Sequence, residues 1–133
     1  MIYTKDNPKL VRHYYGFKDK KTFTGVVKDK NDTVVYFFNG QCHREDGAAI
    51  EYHTGSKEWF LNGKCHREDG PAVEYCDGGK SWYLNGKRHR ENGPAVEYAS
   101  GYKNWHLNGT CYGVNDDFTN ESWIRFVQLE FLK

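Results

Sequence analysis

The chain repeats itself at a fixed interval of 23 residues. An Asn-Gly pair recurs at this spacing at Asn39-Gly40, Asn62-Gly63, Asn85-Gly86 and Asn108-Gly109. Three further columns keep the interval: an aromatic residue before the pair (Tyr36, Trp59, Trp82, Trp105), a His-Arg pair after it (His43-Arg44, His66-Arg67, His89-Arg90) and a Glu-Tyr pair (Glu51-Tyr52, Glu74-Tyr75, Glu97-Tyr98). A fixed period of this length is typical of an array of one supersecondary unit. The sequence therefore predicts a repeat protein.

Each unit is predicted to contain two β-strands. The first strand centres on the aromatic residue, as in residues 57–61, and the second follows the Gly-Pro pair, as in residues 71–75. Asn-Gly and Asp-Gly pairs supply the positive φ angles that tight reversals need. Two reversals in each unit fit a hairpin. The segment between the strands, such as residues 64–69, is either a third, very short strand or a structured loop.

A coil in which each unit forms one turn of a β-helix is the alternative. It would stack equivalent arginines, and separately equivalent glutamates, at about 5 Å, where like charges repel. Two strands in each unit double that spacing and relieve the repulsion. We therefore favour an all-β fold, an elongated antiparallel β-hairpin array.

The two ends of the chain depart from the repeat. Residues 1–35 echo it with drifting spacing and are predicted to form a degenerate β cap, as terminal units of arrays often do. Residues 36–112 hold the repeats. In residues 113–133 the pattern stops, and from about Thr119 the chain reads as a capping α-helix, with Thr119 or Asn120 as N-cap. All three parts belong to one structural domain. The helix is more apolar than one packing face requires, which suggests a homodimer contact as well.

Composition limits the partners and the compartment. The formal net charge is +1, which offers no overall attraction to nucleic acid or to an anionic membrane. The sequence has no charged-then-apolar leader and no apolar run of about 18 residues, so we expect a protein of the cytoplasm.

The cysteines are expected to be free thiols. Cys42, Cys65 and Cys111 share one column, and positions about 10 Å apart are too distant for a disulfide; Cys76 is expected to be a packed small residue. The Cys-His pairs do not predict zinc, because adjacent side chains of a strand point to opposite faces. We expect no metal and no cofactor.

The motifs also carry a resemblance. The string Asn85-Gly86-Lys87-Arg88-His89 and the Trp-x-x-Asn-Gly-x-x-His-Arg-x-Asp-Gly-Pro-Ala core resemble MORN repeats, over about residues 34–112. The chain looks like a MORN-like variant found in small bacterial and bacteriophage proteins. The resemblance implies an elongated antiparallel β array that acts as a binding platform, with no common chemistry. Short arrays closed by an aromatic-rich helix look like the phage members, which implies a counter-defence or host-takeover role in the host cytoplasm.

The most conspicuous candidate site is the ladder of His-Arg pairs. Three guanidinium groups on one edge could grip phosphates through bidentate hydrogen bonds. Each arginine is followed by Glu45, Glu68 or Glu91 and then by Asp46, Asp69 or Asn92. These side chains could equally pair with the arginines, which would make the ladder structural. The candidate ladder residues are His43, Arg44, His66, Arg67, His89 and Arg90.

No sequence feature predicts an enzyme, because nearly all acids, histidines and thiols lie in repeated columns and an active site is an irregular pocket. We expect a non-enzymatic binding module with a protein partner. Its contact would be an exposed patch of residues that break the repeat, with Tyr102, Tyr112 and Trp123 as candidates. Sequestration of a phosphate-bearing small molecule by the ladder is the alternative, and it requires Arg44, Arg67 and Arg90 to point freely into a groove.

Overall fold

The computed structural model describes residues 23–131. In this part the chain is mostly antiparallel β-hairpin sheet with one α-helix near the C-terminal end. The helix α1 spans Asn120–Phe131 and follows a short 3-10 helix at Asn115–Asp117. The strands are β1 (Gly25–Lys28), β2 (Val34–Phe38), β3 (Gln41–Cys42), β4 (Ile50–Glu51), β5 (Lys57–Glu58), β6 (Phe60–Leu61), β7 (Lys64–Cys65), β8 (Val73–Glu74), β9 (Lys80–Ser81), β10 (Tyr83–Leu84), β11 (Lys87–Arg88), β12 (Val96–Glu97), β13 (Lys103–Leu107) and β14 (Thr110–Val114).

The main sheet is a meander in the order β1-β2-β4-β5-β8-β9-β12-β13-β14, with β3 paired to β2. Two short hairpins, β6-β7 and β10-β11, extend from it. Every strand pair in residues 23–131 is antiparallel. The predicted antiparallel hairpins are therefore confirmed, and the β-helix alternative, which needs parallel neighbours, is wrong for this region. The undecided segment 64–69 begins with the very short strand β7 and continues as a loop.

Tight turns close the hairpins where the sequence predicts them. The Asn-Gly pairs take positive φ at both residues, with 52° at Asn62 and 78° at Gly63. Two successive residues with positive φ define the type I′ turn, whose twist matches that of a hairpin. The second set of turns places Gly55, Gly78 and Gly101 at φ 98°, 96° and 93°. Asparagine and glycine are the residues that reach this region at least cost.

Side chains on the two faces of the sheet form two different rows. Because residues paired across strands share a face, one row is Val35, Ile50, Glu58, Val73, Ser81, Val96 and Asn104. The row on the opposite face is Val34, Glu51, Lys57, Glu74, Lys80, Glu97 and Lys103. Lysines thus separate the repeated glutamates. The glutamate repulsion that a β-helix would have is absent from this row, and glutamate and lysine alternate along it.

The helix begins at a reciprocal cap and closes one end of the sheet. The Ser122 amide donates to Thr119 Oγ1 at 3.1 Å, and the Thr119 amide donates to Ser122 Oγ at 2.8 Å. Trp123 and Val127 pack on Trp105 and Leu107 in one buried cluster. The predicted helical cap is confirmed, with Thr119 in the capping position. No helix in residues 23–131 is long and apolar enough to cross a membrane.

The expected N-terminal cap lies partly outside the described residues. Its first 22 residues are in the part that the structure does not describe. Within residues 23–35, β1 pairs with β2, and Phe23, Val26 and Val27 form a second buried cluster. This cluster receives the partly buried Tyr36 and Phe37 from β2.

Candidate functional site

Each arginine of the ladder is stacked on an aromatic ring and hydrogen-bonded to neighbouring groups. Arg67 Nε donates to Asp69 Oδ1 at 3.1 Å, and its Nη1 donates to the Pro71 carbonyl at 3.0 Å and to Glu74 Oε1 at 3.3 Å. Its guanidinium carbon lies 4.0 Å from the ring centroid of Trp59. A planar cation stacked on a ring and hydrogen-bonded at its edge uses both its charge and its shape.

The same arrangement holds the other two arginines. Arg44 lies 4.0 Å over Tyr36 and Arg90 lies 3.7 Å over Trp82. The acceptors are Asp46, the Ala48 carbonyl and Glu51 for Arg44, and Asn92, the Pro94 carbonyl and Glu97 for Arg90. Only 22–23% of each arginine side chain is exposed. The three guanidinium groups do not point freely into a groove, as phosphate capture would require.

Electrostatics follow from these contacts. The hydrogen bond and the charge of Arg44 lower the pKa of Asp46 below its ordinary value. Burial lowers the pKa of Arg90, and the carboxylate of Glu97 opposes that effect. We define the face that carries these stacks and the Lys-Glu row as the arginine face. Each of its three guanidinium groups is paired with a carboxylate of the protein.

The histidines of the ladder join neighbouring hairpins. Nδ1 of His43, His66 and His89 accepts a hydrogen bond from the backbone amide of the next Asn-Gly turn, at Asn62, Asn85 and Asn108, over 2.9–3.0 Å. Nε2 of each ring lies 3.5–3.6 Å from the carboxylate two residues on. An accepting Nδ1 places the proton of the neutral ring on Nε2. The histidines therefore link each hairpin to the next turn.

Two open clefts separate the loops that follow these histidines. They measure about 700 and 540 Å³ and lie on either side of the loop at Arg67 and Asp69. The larger cleft has four carboxylates, those of Glu45, Asp46, Glu68 and Asp69, against two guanidinium groups. An excess of carboxylates disfavours a phosphate in the clefts.

The three predicted contact residues outside the ladder are placed differently from one another. Tyr102 is 42% exposed, and its ring packs edge-to-face on Tyr98 at 5.6 Å. Tyr112 is 43% exposed, but one side of its ring lies against Phe126 of the helix at 5.2 Å. Trp123 is fully buried, and its Nε1 donates to the Arg90 carbonyl at 2.8 Å. Trp123 belongs to the core, so Tyr102 and Tyr112 are the two candidates that lie at the surface, and Tyr112 is backed by the helix.

A row of exposed tyrosines lies on the face opposite the arginines. Tyr52, Tyr75 and Tyr98 follow β4, β8 and β12, and between 37% and 48% of each residue is exposed. Their amides donate to the carbonyls of residues 56, 79 and 102, each at 2.9 Å, so the backbone that carries each ring is held in a closed turn. We define this face, with the row from Ile50 to Asn104, as the tyrosine face.

The tyrosine face also carries polar groups at defined positions. Tyr52 donates from its hydroxyl to Glu58 Oε2 at 3.1 Å. A cavity of about 290 Å³ lies between Tyr75 and Tyr98, and Arg88 is part of its lining. Arg88 Nε donates to the Tyr83 hydroxyl at 3.1 Å. The equivalent position in three other units is a cysteine, so Arg88 gives this cavity a cation that the other units do not supply at that position.

Sequence reasoning missed this row because the Glu-Tyr column looked like part of the packing repeat. A signal was present in the sequence. Tyr75 and Tyr98 come two residues after the buried Val73 and Val96, and Tyr52 comes two residues after the half-buried Ile50. A turn follows each tyrosine directly. A residue at that point stands on the same face as the aliphatic residue but beyond the last paired position.

Burial tunes the titratable groups on this face. It raises the pKa of the Cys42 and Cys65 thiols to about 12, with a smaller contribution from the Glu58 carboxylate. Burial and Glu58 also raise the pKa of Tyr52 to about 12, and burial raises that of Tyr75. These thiols stay protonated near neutral pH and are poor nucleophiles, while the phenols remain donors.

All four cysteines are free, as predicted. Cys76 is exposed, so the expectation that it is a packed small residue is wrong: it stands in the turn after Tyr75, beyond the paired strand. Within residues 23–131 no group of three or more His, Cys, Asp and Glu side chains is arranged to hold a metal ion.

No protein-family model matches the chain, and none of the curated proteins compared with it gives a match.

Proposed function

We propose that the chain is a non-enzymatic binding module, a MORN-like array of 23-residue hairpin units, that engages a protein partner through its tyrosine face. The observation that carries this proposal is the row of exposed rings at Tyr52, Tyr75 and Tyr98, extended by Tyr102. By the resemblance to short bacteriophage arrays, the proposal extends to a host or defence protein as the partner, met in the host cytoplasm.

Tyrosines in such a row are suited to protein contacts. A tyrosine contributes a large apolar ring and a hydroxyl, and it loses little conformational entropy when it is immobilised. Tyrosine is also enriched in interface cores and among the residues that dominate binding energy. Because each ring stands on a closed turn, part of the ordering cost of binding is already met within the fold.

The arginine face is less suited to binding. Its guanidinium groups are stacked and hydrogen-bonded, and its histidines accept backbone hydrogen bonds. A ligand would have to displace these internal partners before it gained its own. The alternative, sequestration of a phosphate-bearing small molecule by the ladder, would need such a displacement in an acidic cleft. We therefore place the partner on the tyrosine face.

The proposal includes no catalytic role because the thiols and imidazoles of the repeat are not available as nucleophiles or bases. Cys42 and Cys65 are held as thiols by burial. His43 and His66 use Nδ1 as a structural acceptor. A general base or nucleophile needs a free, activated atom near a substrate site, and these side chains are engaged in the fold.

Affinity purification from the host cell tests the proposal. The tagged wild type is compared with the Tyr75→Ala/Tyr98→Ala variant and with a matched control on the arginine face, Glu45→Ala/Glu68→Ala, whose side chains are both 84% exposed. Thermal unfolding verifies that each variant folds. We expect a stoichiometric protein to be captured by the wild type and the control and lost with the tyrosine variant. Loss with the control alone would instead place the interface on the arginine-face loops.

A further inference from the structure

We propose that the segment bound by the tyrosine face is proline-rich and in the polyproline II conformation, with its prolines seated between successive tyrosines. This inference rests on the proposed function, because it names the chemistry of the partner at the same face. Three features of the face lead to it: the spacing of the tyrosines, the cavity between two of them and the donors in that cavity.

The spacing of the tyrosines matches one turn of a polyproline II helix. Tyr52, Tyr75 and Tyr98 follow β4, β8 and β12, and one further strand lies between each pair in the sheet. With neighbouring strands about 4.8 Å apart, successive tyrosines are separated by roughly 10 Å along the sheet. A polyproline II helix has three residues in each turn and rises about 9.3 Å per turn. Prolines at every third position of such a segment therefore recur at nearly the interval of the rings.

The cavity between Tyr75 and Tyr98 provides a place for a proline ring. It measures about 290 Å³ and is open to the surface. The two tyrosines form part of its lining together with Val96 and Ala99. Grooves lined by aromatic residues are the recurrent sites for polyproline II segments, because rigid rings stack on rigid prolines at small entropic cost.

Donors in the cavity complement the backbone of such a segment. A polyproline II helix makes no internal hydrogen bonds, so its carbonyls need external donors. Arg88 lines the cavity. Its Nε–H group donates to the Tyr83 hydroxyl, and its guanidinium carries four further N–H groups. The raised pKa of Tyr75 keeps its phenol protonated.

A segment selected mainly by charge fits this face less well. Glu58 and Asp77 place negative charge on it and Arg88 places positive charge on it, so neither a basic nor an acidic peptide finds a uniform complement. An uncharged, rigid and periodic segment meets the rings and donors without burying an unpaired charge.

A titration with synthetic peptides tests the inference on the full chain. The probe is a peptide of about twelve residues with proline at every third position, long enough to span about 37 Å as polyproline II. The control peptide has the same sequence with D-proline, which cannot join the left-handed helix of L-residues. Binding is followed by amide chemical shifts in the NMR spectrum of the labelled protein.

We expect saturable shifts around Tyr75, Arg88 and Tyr98, and at least tenfold weaker binding of the D-proline peptide. Tyr75→Ala should weaken binding at least tenfold. Glu68→Ala, on the other face, should leave it unchanged. The unfolding midpoints of both variants are first compared with that of the wild type. We expect them to be close to it, because Tyr75 is 48% exposed and the Glu68 side chain 84%.

The inference is overturned if the L-proline peptide gives no saturable shifts at millimolar concentration, if both peptides bind equally, or if the shifts fall on the arginine face. These outcomes are separate from failure of the proposed function. A captured protein that depends on Tyr75 and Tyr98, with no binding of the L-proline peptide, would retain the tyrosine face as the interface and reject a proline-rich occupant.

Discussion

At the scale of single residues, each arginine of the His-Arg ladder both covers an aromatic ring and pairs with a carboxylate. Arg67 covers the face of Trp59, which a single-layer sheet would otherwise leave to water, and it binds the Glu74 carboxylate between Lys57 and Lys80. Lysine could supply the charge but not the planar stack or the fork of donors. The arginine is therefore part of the packing of its unit.

Replacement of Arg67 tests that role. Arg67→Ala removes a cation–π contact and hydrogen bonds in a partly buried setting, so we expect a loss of roughly 2–3 kcal/mol in the free energy of unfolding, measured by urea denaturation. Arg67→Lys should recover only part of this loss. A change below about 0.5 kcal/mol for Arg67→Ala would contradict the structural role and return the ladder to the candidate binding sites.

Another residue-scale feature is the buried His106, where Phe37, Phe60 and Tyr83 stand in the other units. Both ring nitrogens are buried, and neither makes a hydrogen bond of good geometry among the described residues. Burial, aided by the charge of Arg88 and opposed in part by the backbone at Gly109, lowers the pKa of His106 below its ordinary value. The unfolded chain then takes up a proton that the folded chain resists as the pH falls below about 6.5. His106 therefore contributes a loss of stability in acid.

His106→Phe should remove this contribution. We expect the free energy of unfolding of the variant to fall less steeply than that of the wild type between about pH 7 and pH 5, with a difference in slope of at most about 1.4 kcal/mol per pH unit. Urea denaturation across this range measures both slopes. The exposed His53 serves as control, and His53→Gln should follow the wild type. Parallel wild-type and His106→Phe curves would show that His106 is not the acid-sensitive group.

At the scale of elements, the helix α1 takes the place that an arginine has in the other units. Gly113 stands 23 residues after Arg90, and the ring of Trp105 is covered by Trp123 and Phe118 at 5.5 and 5.6 Å. A Cβ at Gly113 would lie 2.9 Å from both Phe118 and Asp117. The missing side chain at Gly113 therefore lets the segment before the helix approach the sheet.

Truncation of the helix anchor should show the importance of this cap. Trp123→Ala removes a fully buried ring and the hydrogen bond to the Arg90 carbonyl, so we expect a loss of roughly 3–5 kcal/mol. Leu129→Ala, at a residue 67% exposed on the same helix, should change stability by less than about 0.5 kcal/mol. Chemical denaturation compares the two. Equal effects would mean that the helix contributes little to the sheet.

At the scale of the whole molecule, the sheet is held together by rows that run across many strands. The row on the arginine face alternates glutamate and lysine from Glu51 to Lys103, each directly opposite its neighbour. Opposite charges at directly opposed positions stabilise a sheet, and like charges destabilise it. The alternation makes each hairpin complementary to the next, which favours the observed order of strands over a slipped one.

Reversal of one charge in this row tests that complementarity. Lys80→Glu would place three carboxylates side by side with Glu74 and Glu97, and we expect a loss of roughly 1 kcal/mol that shrinks as salt is added. Lys80→Gln separates the loss of attraction from the gain of repulsion and should lose less. Denaturation at low and high ionic strength gives both values. A salt-independent loss would assign the effect to something other than charge.

The local signals in the sequence were sufficient for the hairpins and the helix start. Asn62-Gly63 reaches the positive φ angles of a tight turn at low cost. Thr119 and Ser122, three residues apart, cap the helix by hydrogen bonds to each other. Such features depend on a few adjacent residues, so the sequence alone determined them. The same holds for the antiparallel pairing across each Asn-Gly turn, since a two-residue turn leaves no room for a parallel crossover.

Only the tertiary structure decided how the repeated side chains are used. The sequence places Asp69, Glu74 and Trp59 within reach of Arg67, but their joint contact depends on the fold of the intervening loop and on strand pairing. Likewise, Tyr75 and Trp123 are both aromatic residues beside polar ones, yet the first is 48% exposed and the second is fully buried. Exposure depends on what packs nearby in space, because burial is a property of the assembled sheet and helix rather than of residue type.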